Sequence, residues 1–351
     1  MIKVNNNNMK FDVIIGNPPY QESDGGAQAS AKPIYHHFVN IAKQLNPDYS
    51  CIIMPTRWYA GGKGLDTFRD QMLNDKNISE LHDFLNPDII FPNTNNRGGI
   101  CFFLRDKNYD NSEDLTKVFT YGDNLTPTLN SRSLKTEDSD TLIRHGIAVE
   151  ILQKVKSNEK FESFKEIISS RKPFGFEGDV IKNQSIFRPT KKGLKSPILC
   201  YGKGKKIGYL NKEEISKNTN WISKFKVFAP YANNIGTELN DDNLNAFVGE
   251  PNTISTETYI VIGADLNLNK ESATNLANYC FTKFTRFMHS LAKASQHGTA
   301  KTYKFVPLQD FTSKSDINWT KSIEEIDQQL YKKYKLSNDE IEFMEKMIKP
   351  M

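Results

Sequence analysis

The chain has 351 residues, of which 38% are hydrophobic and 25% are charged, and its formal net charge is +4. This composition is typical of an ordinary soluble protein, and the length allows two domains with cores of their own. No apolar stretch approaches membrane-spanning length and no signal-peptide pattern opens the chain, which argues against a membrane protein and indicates a cytoplasmic one.

The cysteines and histidines give no sign of a metal site. Four cysteines lie far apart in the sequence without a Cys-x-x-Cys pair, which favours reduced thiols over disulfides or metal ligands. The six histidines form no metal-ligand spacing, and we expect the adjacent pair His36 and His37 on a half-buried helix surface. No metal is therefore expected.

The first predicted element is a strand that ends in a rigid turn. Residues 1–9 include four consecutive asparagines and are expected to form a disordered leader. Phe11 to Ile15 is an apolar run rich in β-branched residues, stopped by Gly16 and two prolines, which predicts a buried strand followed by a turn. In open α/β sheets, ligands bind at the carboxyl ends of strands. The simpler alternative is a strand-ending turn without a functional role.

The turn itself reads Asn17-Pro18-Pro19-Tyr20. After such a strand it resembles the catalytic loop of the amino-methyltransferases, above all the adenine-specific DNA methyltransferases. An exocyclic amine is a poor nucleophile because its lone pair is delocalised into the ring, so acceptors for its N–H groups favour a more tetrahedral nitrogen.

Each residue type of this loop suits that chemistry. Asn17 offers a side-chain carbonyl, and the resemblance assigns the second acceptor to the backbone carbonyl of Pro18. Pro18 and Pro19 have no N–H and a fixed φ, so they hold these carbonyls without a competing donor. Tyr20 offers a flat face on which a flipped base can stack. An amide is no strong base, so the loop is expected to position the amine and not to deprotonate it.

The next residues predict alternating helices and strands. The polar segment 21–32 is expected to be a mobile loop that closes over substrate. Pro33 opens a helix, and a second helix ends near Leu73. The apolar face of the first helix is predicted to consist of Ile34, Phe38, Ile41, Ala42 and Leu45. Three further strands are predicted at Tyr49–Met54, Ile78–Leu85 and Ile100–Leu104. This succession matches the second half of a methyltransferase domain, so residues 10–110 are expected to form a partial Rossmann-like methyltransferase sheet of the α/β class.

The resemblance covers about the first 105 residues and includes three less specific blocks. They are Pro33–Phe38, Ile53–Trp58 and Gly98–Arg105. Together they are similar to the methyltransferase part of fused type IIG restriction–modification enzymes. In that family an aromatic residue on the last strand edges against the flipped base. Phe102 and Phe103 point to opposite faces of a strand, so only one of them can do so, and the alternative is that both are core.

A change in composition predicts the domain boundary. Residues 111–140 are rich in Asn, Asp, Ser and Thr and are expected to be a linker. The resemblance implies that the α+β region 141–312 is a target-recognition domain. Its segment 168–175 resembles one recurrent in such domains, with Arg171, Lys172 and Phe174 available to DNA. The alternative is a surface loop with a buried phenylalanine.

A basic block lies inside this second region. Residues 188–226 contain eleven Lys or Arg and two Glu, a charge of +9, which leaves −5 for the rest of the chain. Within it, Pro197–Tyr201 is followed by glycines that suggest a dinucleotide-binding loop. The third glycine, however, comes one position later than in the Gly-x-Gly-x-x-Gly pattern, and no helix is predicted after it. We expect a β-hairpin whose tip presents Lys203, Lys205 and Lys206 to the DNA backbone. A cofactor loop or a solvated turn are the alternatives.

The rest of the chain predicts helices and one further polar segment. A helix is expected at 272–291, followed by a basic and amide-rich run that includes Gln296 and Lys301 and resembles the end of a recognition domain. Two capping boxes, Ser322–Glu325 and Ser337–Glu340, predict a helical hairpin in residues 313–351.

The resemblance also shows what is missing. Methyltransferases of this family hold S-adenosylmethionine with a glycine-rich turn and an acidic residue that precede the Asn-Pro-Pro-Tyr strand, and only about ten residues precede it here. The cofactor-binding residues are therefore unknown. We expect the catalytic and specificity half of an adenine-N6 methyltransferase that acts on double-stranded DNA, with an amino-terminal methyltransferase half or a restriction subunit as partner. The alternatives are a non-enzymatic DNA-binding specificity subunit or remnant, and an amino-methyltransferase acting on protein glutamine or RNA.

Overall fold

The computed structural model describes residues 10–22, 32–92, 98–136, 139–235, 242–293 and 297–349. The predicted leader, most of the loop 21–32 and Gln296 lie outside these ranges. The chain divides into two compact units, residues 1–149 (unit 1) and residues 150–351 (unit 2). None of the described helices is long and apolar enough to cross a membrane.

Unit 1 is built on a six-stranded mixed sheet with the strand order β1-β2-β4-β3-β5-β6. The strands are β1 (Val13–Gly16), β2 (Tyr49–Pro55), β3 (Ile78–Phe84), β4 (Ile100–Asp106), β5 (Thr116–Tyr121) and β6 (Pro127–Arg132). β1 is parallel to β2 and β3 to β5, whereas β4 is antiparallel to both β2 and β3, and β6 to β5. The carboxyl ends of β1, β2, β3 and β5 therefore lie at one edge of the sheet.

Two helices pack on one face of this sheet. They are α1 (Tyr35–Leu45) and α2 (Asp66–Leu73). Tyr35 and Val39 of α1 and Phe68 of α2 lie in one core cluster with Ile52 and Met54 of β2. Two further helices are described here, the single turn α3 (Asn111–Asp114) and α4 (Gly146–Lys156), which crosses the boundary between the units.

The buried face of α1 is rotated relative to the predicted one. The apolar spacing favoured a face with Phe38, but that side chain is 42% exposed, and Tyr35, Val39 and Ala42 are buried. Both sets have helical spacing, and contact with β2 selects the set that includes Tyr35.

The predicted linker is wrong between residues 116 and 132, because this segment forms β5 and β6 of the sheet. β5 pairs with β3, and it buries Thr116, Val118 and Thr120 on the core side. Threonine is polar but β-branched, so it fits a strand, and Thr116 Oγ1 donates to the carbonyl of Ile78 at 2.8 Å. A strand with one buried face needs few apolar residues, which is why composition alone predicted a linker.

β1 packs against the core on one side only, and its residues there are partly buried. It lies at the margin of the sheet and pairs with β2 alone. Ile14 packs against the core cluster, whereas Val13 is 52% and Ile15 79% exposed on the opposite face. The prediction of a buried strand is therefore wrong, because no described element covers the outer face or the free edge of β1.

The described part of unit 2 contains two three-stranded sheets and, after α4, four further α-helices. One sheet has the order β10-β9-β12 and is antiparallel, and the other has the order β11-β7-β8. The strands are β7 (Pro197–Tyr201), β8 (Ile207–Asn211), β9 (Lys226–Pro230), β10 (Phe247–Gly249), β11 (Thr253–Ser255) and β12 (Tyr259–Ile262). The helices that follow are α5 (Lys270–Phe281), α6 (Lys283–Ser290), α7 (Ile323–Lys333) and α8 (Asn338–Met347).

Local sequence signals in unit 2 predicted several of these elements. β7 and β8 form the expected antiparallel hairpin. Both capping boxes are present, at the starts of α7 and α8. The single helix predicted at 272–291 is interrupted at Thr282, whose ψ of 145° is extended. The Asp327 carboxylate accepts hydrogen bonds from the N–H groups of Lys283 and Phe284, which stabilises this second helix start.

The exposed edge of β1 leads to a first prediction. We expect Ile15→Lys to reduce concentration-dependent aggregation, because a charge on an edge strand opposes edge-to-edge pairing. Ile15 is 79% exposed, so the free energy of unfolding should change by no more than about 0.5 kcal/mol. Light scattering over a concentration series measures the effect. Leu125→Lys is the matched control, since Leu125 is 67% exposed outside any strand. Equal aggregation of the Ile15 variant and the unmodified chain would contradict this prediction.

Candidate active site

The Asn17–Tyr20 loop lies at the carboxyl end of β1, as predicted. The last pair of the β1–β2 register joins Gly16 to Ile52, and the chain leaves the sheet at the next residue. Asn17 and Pro19 are exposed, whereas Pro18 is buried and Tyr20 is half-buried. A buried Pro18 anchors the turn between two outward-facing residues, so the Asn17 amide is presented to solvent at the edge where ligands bind in α/β sheets.

Tyr20 connects this loop to the core. Its ring packs against the core cluster, and its hydroxyl is buried without a hydrogen-bond partner among the described residues. Burial, and the nearby thiol of Cys101, raise the pKa of Tyr20 to about 12. The side chain is therefore a neutral ring at physiological pH, which suits stacking and not acid–base chemistry.

Backbone hydrogen bonds tie the loop to the start of α1. The N–H of Ile34 donates to the carbonyl of Tyr20 at 3.1 Å, and the N–H of Glu22 donates to the carbonyl of Lys32 at 3.0 Å. Gln21 and Pro33 form an antiparallel bridge between them. The two ends of the 21–32 segment are thus held together directly beside Tyr20, and the predicted mobility of the residues between them lies outside the described ranges.

Cys101 lies behind the loop and has an unreactive thiol. It is fully buried on β4, and Trp58 Nε1 donates to its sulfur at 3.4 Å. Burial raises the pKa of the Cys101 thiol to about 12, so it stays protonated and is a core residue and not a nucleophile.

A second turn at the same edge is fixed by hydrogen bonds to Thr56, which follows β2. The Thr56 N–H donates to the carbonyl of Gly99 at 3.1 Å, and Thr56 Oγ1 donates to that of Gly98 at 2.6 Å. Gly99 has a φ of +103°, and a Cβ there would lie 2.5 Å from the carbonyl oxygen of Phe84. Only glycine fits this position without a shift of the β3 backbone.

A buried ion pair holds the same turn from the other side. Asp83 on β3 has no exposed side-chain surface, and its two oxygens accept from Arg144 Nε at 2.8 Å and Nη2 at 2.6 Å. Arg144 Nη1 also donates to the carbonyl of Gly98 at 2.8 Å. Asp83, Arg144 and Thr56 were not predicted as residues that support this turn. The adjacent glycines at 98 and 99 were the one signal that could have indicated a constrained turn.

The structure separates the two phenylalanines of β4. Phe103 is 1% exposed in the core cluster, whereas Phe102 lies on the opposite face and stacks on His82 at 4.2 Å. The prediction that they face opposite sides of the sheet is confirmed. Phe103 is a core residue, because it is enclosed among β2, β3 and the helices, so of the two only Phe102 retains exposed surface for a ligand.

In unit 2, the structure excludes one predicted DNA contact and leaves others accessible. Phe174 is completely buried in the core with its ring 6.4 Å from that of Trp221, so its availability to DNA was a wrong prediction. A phenylalanine in a polar segment is often the apolar anchor of that segment. Arg171 and Lys172 retain exposed surface, and each forms an ion pair, with Glu257 and Glu177 respectively.

The predicted lysines of unit 2 lie at the surface where the structure describes them. Lys203 and Lys206 are exposed at the tip of the β7–β8 hairpin, and Lys301 is exposed on a short helical turn. The backbone of Lys205 lies in the same tip. Their contact with DNA remains a prediction. Within the described ranges, no group of three His, Cys, Asp or Glu side chains could hold a metal ion.

The buried Asp83–Arg144 pair leads to a second prediction. Arg144→Ala should lower the free energy of unfolding of unit 1 by about 3–5 kcal/mol, because it leaves a buried carboxylate without its partner. Lys107→Ala is the control and should cost at most about 1 kcal/mol, since Lys107 and Asp48 are both exposed. Chemical denaturation of the three proteins measures the difference. Adding Asp83→Asn to Arg144→Ala should restore part of the lost stability. Equal stability of Arg144→Ala and Lys107→Ala would contradict the role assigned to the Asp83–Arg144 pair.

Comparison with known proteins confirms the resemblance read from the sequence. The sequence profile of the Eco57I restriction-modification methylase family matches residues 1–91. Over 121 residues the chain is 37% identical to an uncharacterized adenine-specific methylase of Mycoplasma pneumoniae. The matched region covers 34% of this chain and 29% of that protein.

Two solved structures are also similar to the chain. The type IIG restriction endonuclease BpuSI matches with a TM-score of 0.41 and 11% identity, over 96% of this chain and 53% of that one. The type IIL restriction-modification enzyme MmeI, solved in complex with DNA, matches with a TM-score of 0.45 and 11% identity, over 95% and 57%. The chain thus spans little more than half the length of these proteins and less than a third of the curated relative. Its amino-terminal part, which carries β1 and the Asn17–Tyr20 loop, is similar to the Eco57I restriction-modification methylases.

Proposed function

We propose that the chain is the catalytic and specificity half of a site-specific DNA adenine-N6 methyltransferase of a restriction–modification system, with S-adenosylmethionine as methyl donor. One observation carries this proposal. The Asn17–Tyr20 loop lies at the carboxyl end of β1, with the Asn17 amide exposed, inside the segment that matches the methylase family.

The loop would act by positioning the target amine. The Asn17 side-chain carbonyl accepts one N–H of the amine, and the backbone carbonyl of Pro18 accepts the other. Pro18 is buried and Pro19 has a fixed φ, so this turn loses little conformational entropy when the base enters. Tyr20 stays neutral because burial and the nearby Cys101 raise its pKa to about 12, and its ring supplies a stacking surface.

The described residues fit the target amine better than they fit the methyl donor. S-adenosylmethionine supplies the methyl group when bound. The resemblance places its glycine-rich turn and acidic residue on strands that precede the catalytic strand, and β1 is the edge strand of the described sheet. We propose that polypeptide outside this sequence, either preceding it or on a partner, supplies those strands. The exposed side chains of Val13 and Ile15 are the apolar surface that such strands would cover.

Unit 2 favours a nucleic acid over a protein substrate, and the similarity of residues 1–91 to restriction-modification methylases favours DNA over RNA. It contains more than half of the chain and carries the exposed lysines of the β7–β8 hairpin. An enzyme that methylates glutamine in a small protein substrate would not need a second unit with this basic block. The remaining alternative is a specificity subunit that binds DNA without methylating it, and methyl transfer by the completed enzyme separates the two.

The role of Asn17 gives a third prediction. Asn17→Ala should reduce methyl transfer on the order of a hundredfold or more, because it removes one preorganised acceptor, while the affinity for DNA stays the same. The assay follows labelled methyl groups into duplex DNA with the chain and its complementing half. Turnover of Asn17→Ala near that of the unmodified enzyme would refute the role of this residue.

Two substitutions of Tyr20 serve as matched controls in the same assay. Tyr20→Phe should retain most activity, because the hydroxyl has no hydrogen-bond partner among the described residues and a pKa of about 12. Its pH–rate profile should equal that of the unmodified enzyme up to about pH 10, since the hydroxyl stays protonated well below its pKa. Tyr20→Ala removes the ring and should lower activity at all these pH values.

The free edge of β1 gives a fourth prediction. The chain alone should bind S-adenosylmethionine weakly or not at all, because β1 is the edge strand of the described sheet and the resemblance assigns the donor site to strands that precede it. Calorimetric titration with S-adenosylmethionine, with and without the complementing half, measures this. Micromolar binding by the chain alone would mean that its own residues form a complete donor site.

A further inference from the structure

A series of contacts in unit 2 joins residues that are distant in sequence, and one of its links is the backbone N–H of the buried Gly178. We call it the Arg171 strip. It consists of Lys203, Gly178, Glu257, Arg171, Tyr231 and His297. These residues come from five separate parts of the sequence, so the strip exists only in the folded unit.

Arg171 is the centre of the strip. Its Nη2 lies 3.0 Å from Oε2 of Glu257, and its guanidinium lies over the ring of Tyr231, 5.3 Å from the centroid. The Arg171 side chain is nevertheless 54% exposed, so donors remain accessible to a ligand. A guanidinium held on two sides loses less rotamer entropy on binding than a free one.

Glu257 is itself held in place. Its side chain is 19% exposed, and its Oε1 accepts a hydrogen bond from the backbone N–H of Gly178 at 3.0 Å. This bond leaves the second carboxylate oxygen directed at Arg171. Glu257 therefore attracts the guanidinium from a fixed position, through an ion pair whose N···O distance is 3.0 Å but which lacks hydrogen-bond geometry.

Aromatic rings extend the strip on the other side. Tyr231 follows β9, and its ring stacks on that of His297 with centroids 4.7 Å apart and planes 20° apart. The N–H of Gly298 donates to the Tyr231 carbonyl at 2.6 Å, so the backbone holds the two rings together. Both residues are half-buried, which leaves part of the stack accessible beside Arg171.

The hairpin tip completes the strip at the opposite end. A Cβ placed on Gly178 would lie 3.7 Å from Cδ of Lys203, so the Lys203 stem passes close to Gly178 and Glu257. Lys203 is exposed. The strip thus presents an exposed ammonium, an oriented guanidinium and stacked rings in succession.

We propose that the Arg171 strip reads a base pair of duplex DNA, with Arg171 as a specificity-determining residue, Glu257 as its positioning residue and Lys203 as a phosphate contact. This inference rests on the proposed function and deepens it by naming the surface that selects the sequence. A forked guanidinium matches the O6 and N7 acceptors of guanine in the major groove, and Tyr231 limits its rotation.

The charge of the strip favours base reading over simple attraction to phosphates. Glu257 lies within it, and Glu177, 68% exposed, lies beside it in an ion pair with Lys172. A surface that bound phosphates alone would be weakened by these carboxylates. A carboxylate that fixes an arginine instead disfavours sequences that offer no acceptor to it.

The test is selection of duplexes from a randomised pool by the full chain, followed by sequencing and by binding at several salt concentrations. Arg171→Lys retains the charge but not the fork, and it should reduce the preference at one base pair by roughly 5- to 150-fold. Glu257→Gln should reduce the same preference and leave the other positions unchanged. Lys203→Ala should leave all preferences unchanged and reduce the slope of log affinity against log salt by about 0.9.

Lys270→Ala is the matched control, because Lys270 is 76% exposed on α5 and lies outside the strip. It should change neither preference nor slope. Circular dichroism confirms that each variant is folded. A base preference retained by both Arg171→Lys and Glu257→Gln would overturn the inference. A loss of affinity in Arg171→Ala that is equal for all sequences would also overturn it, because it indicates a phosphate contact. Absence of duplex binding by the unmodified chain would also overturn it. The proposed methyl transfer is judged separately, by the Asn17 variant.

Discussion

The parallel pairing of β1 with β2 is the constraint on which the candidate active site depends. Four residue pairs, from Val13 with Tyr49 to Gly16 with Ile52, bring the end of β1 to the edge where Thr56 follows β2. β1 has no second neighbour among the described strands, so this short ladder and the inward packing of Ile14 hold the Asn17–Tyr20 loop. The loop is rigid by its own prolines, but its place in the molecule comes from β2.

The polar groups behind this edge are arranged to support backbone turns and not to react. Asp83 is fully buried and is neutralised by Arg144, which also binds the carbonyl of Gly98, while Thr56 binds the same turn from β2. Burial keeps Cys101 protonated and, with the nearby thiol, keeps Tyr20 protonated. Among the described residues, the Asn17–Tyr20 loop therefore offers exposed acceptors and an aromatic face. These features are the basis on which we propose that the loop positions an amine.

The residue of unit 2 that we propose for recognition is held in the same way. Phe174 is buried and anchors its segment, and this burial leaves Arg171, three residues earlier, at the surface. Glu257 and Tyr231 then restrict the guanidinium from two sides. In both units a buried residue fixes the backbone, Pro18 in unit 1 and Phe174 in unit 2. The exposed residue to which we assign a role, Asn17 or Arg171, lies close to it in sequence.

The sequence by itself determined the features whose signals are local. The Asn-Pro-Pro-Tyr turn, the helix after Pro33, the β7–β8 hairpin and the capping boxes of α7 and α8 each depend on residues a few positions apart. Only the tertiary structure decided which face of β1 is exposed, that the threonine-rich segment of β5 joins the sheet, and that Phe174 is core. The Asp83–Arg144 pair, whose members are 61 residues apart, and the Arg171 strip also required it. The physical reason is that burial and pairing are set by partners distant in sequence, and a composition or spacing rule contains no information about which distant segment becomes a neighbour.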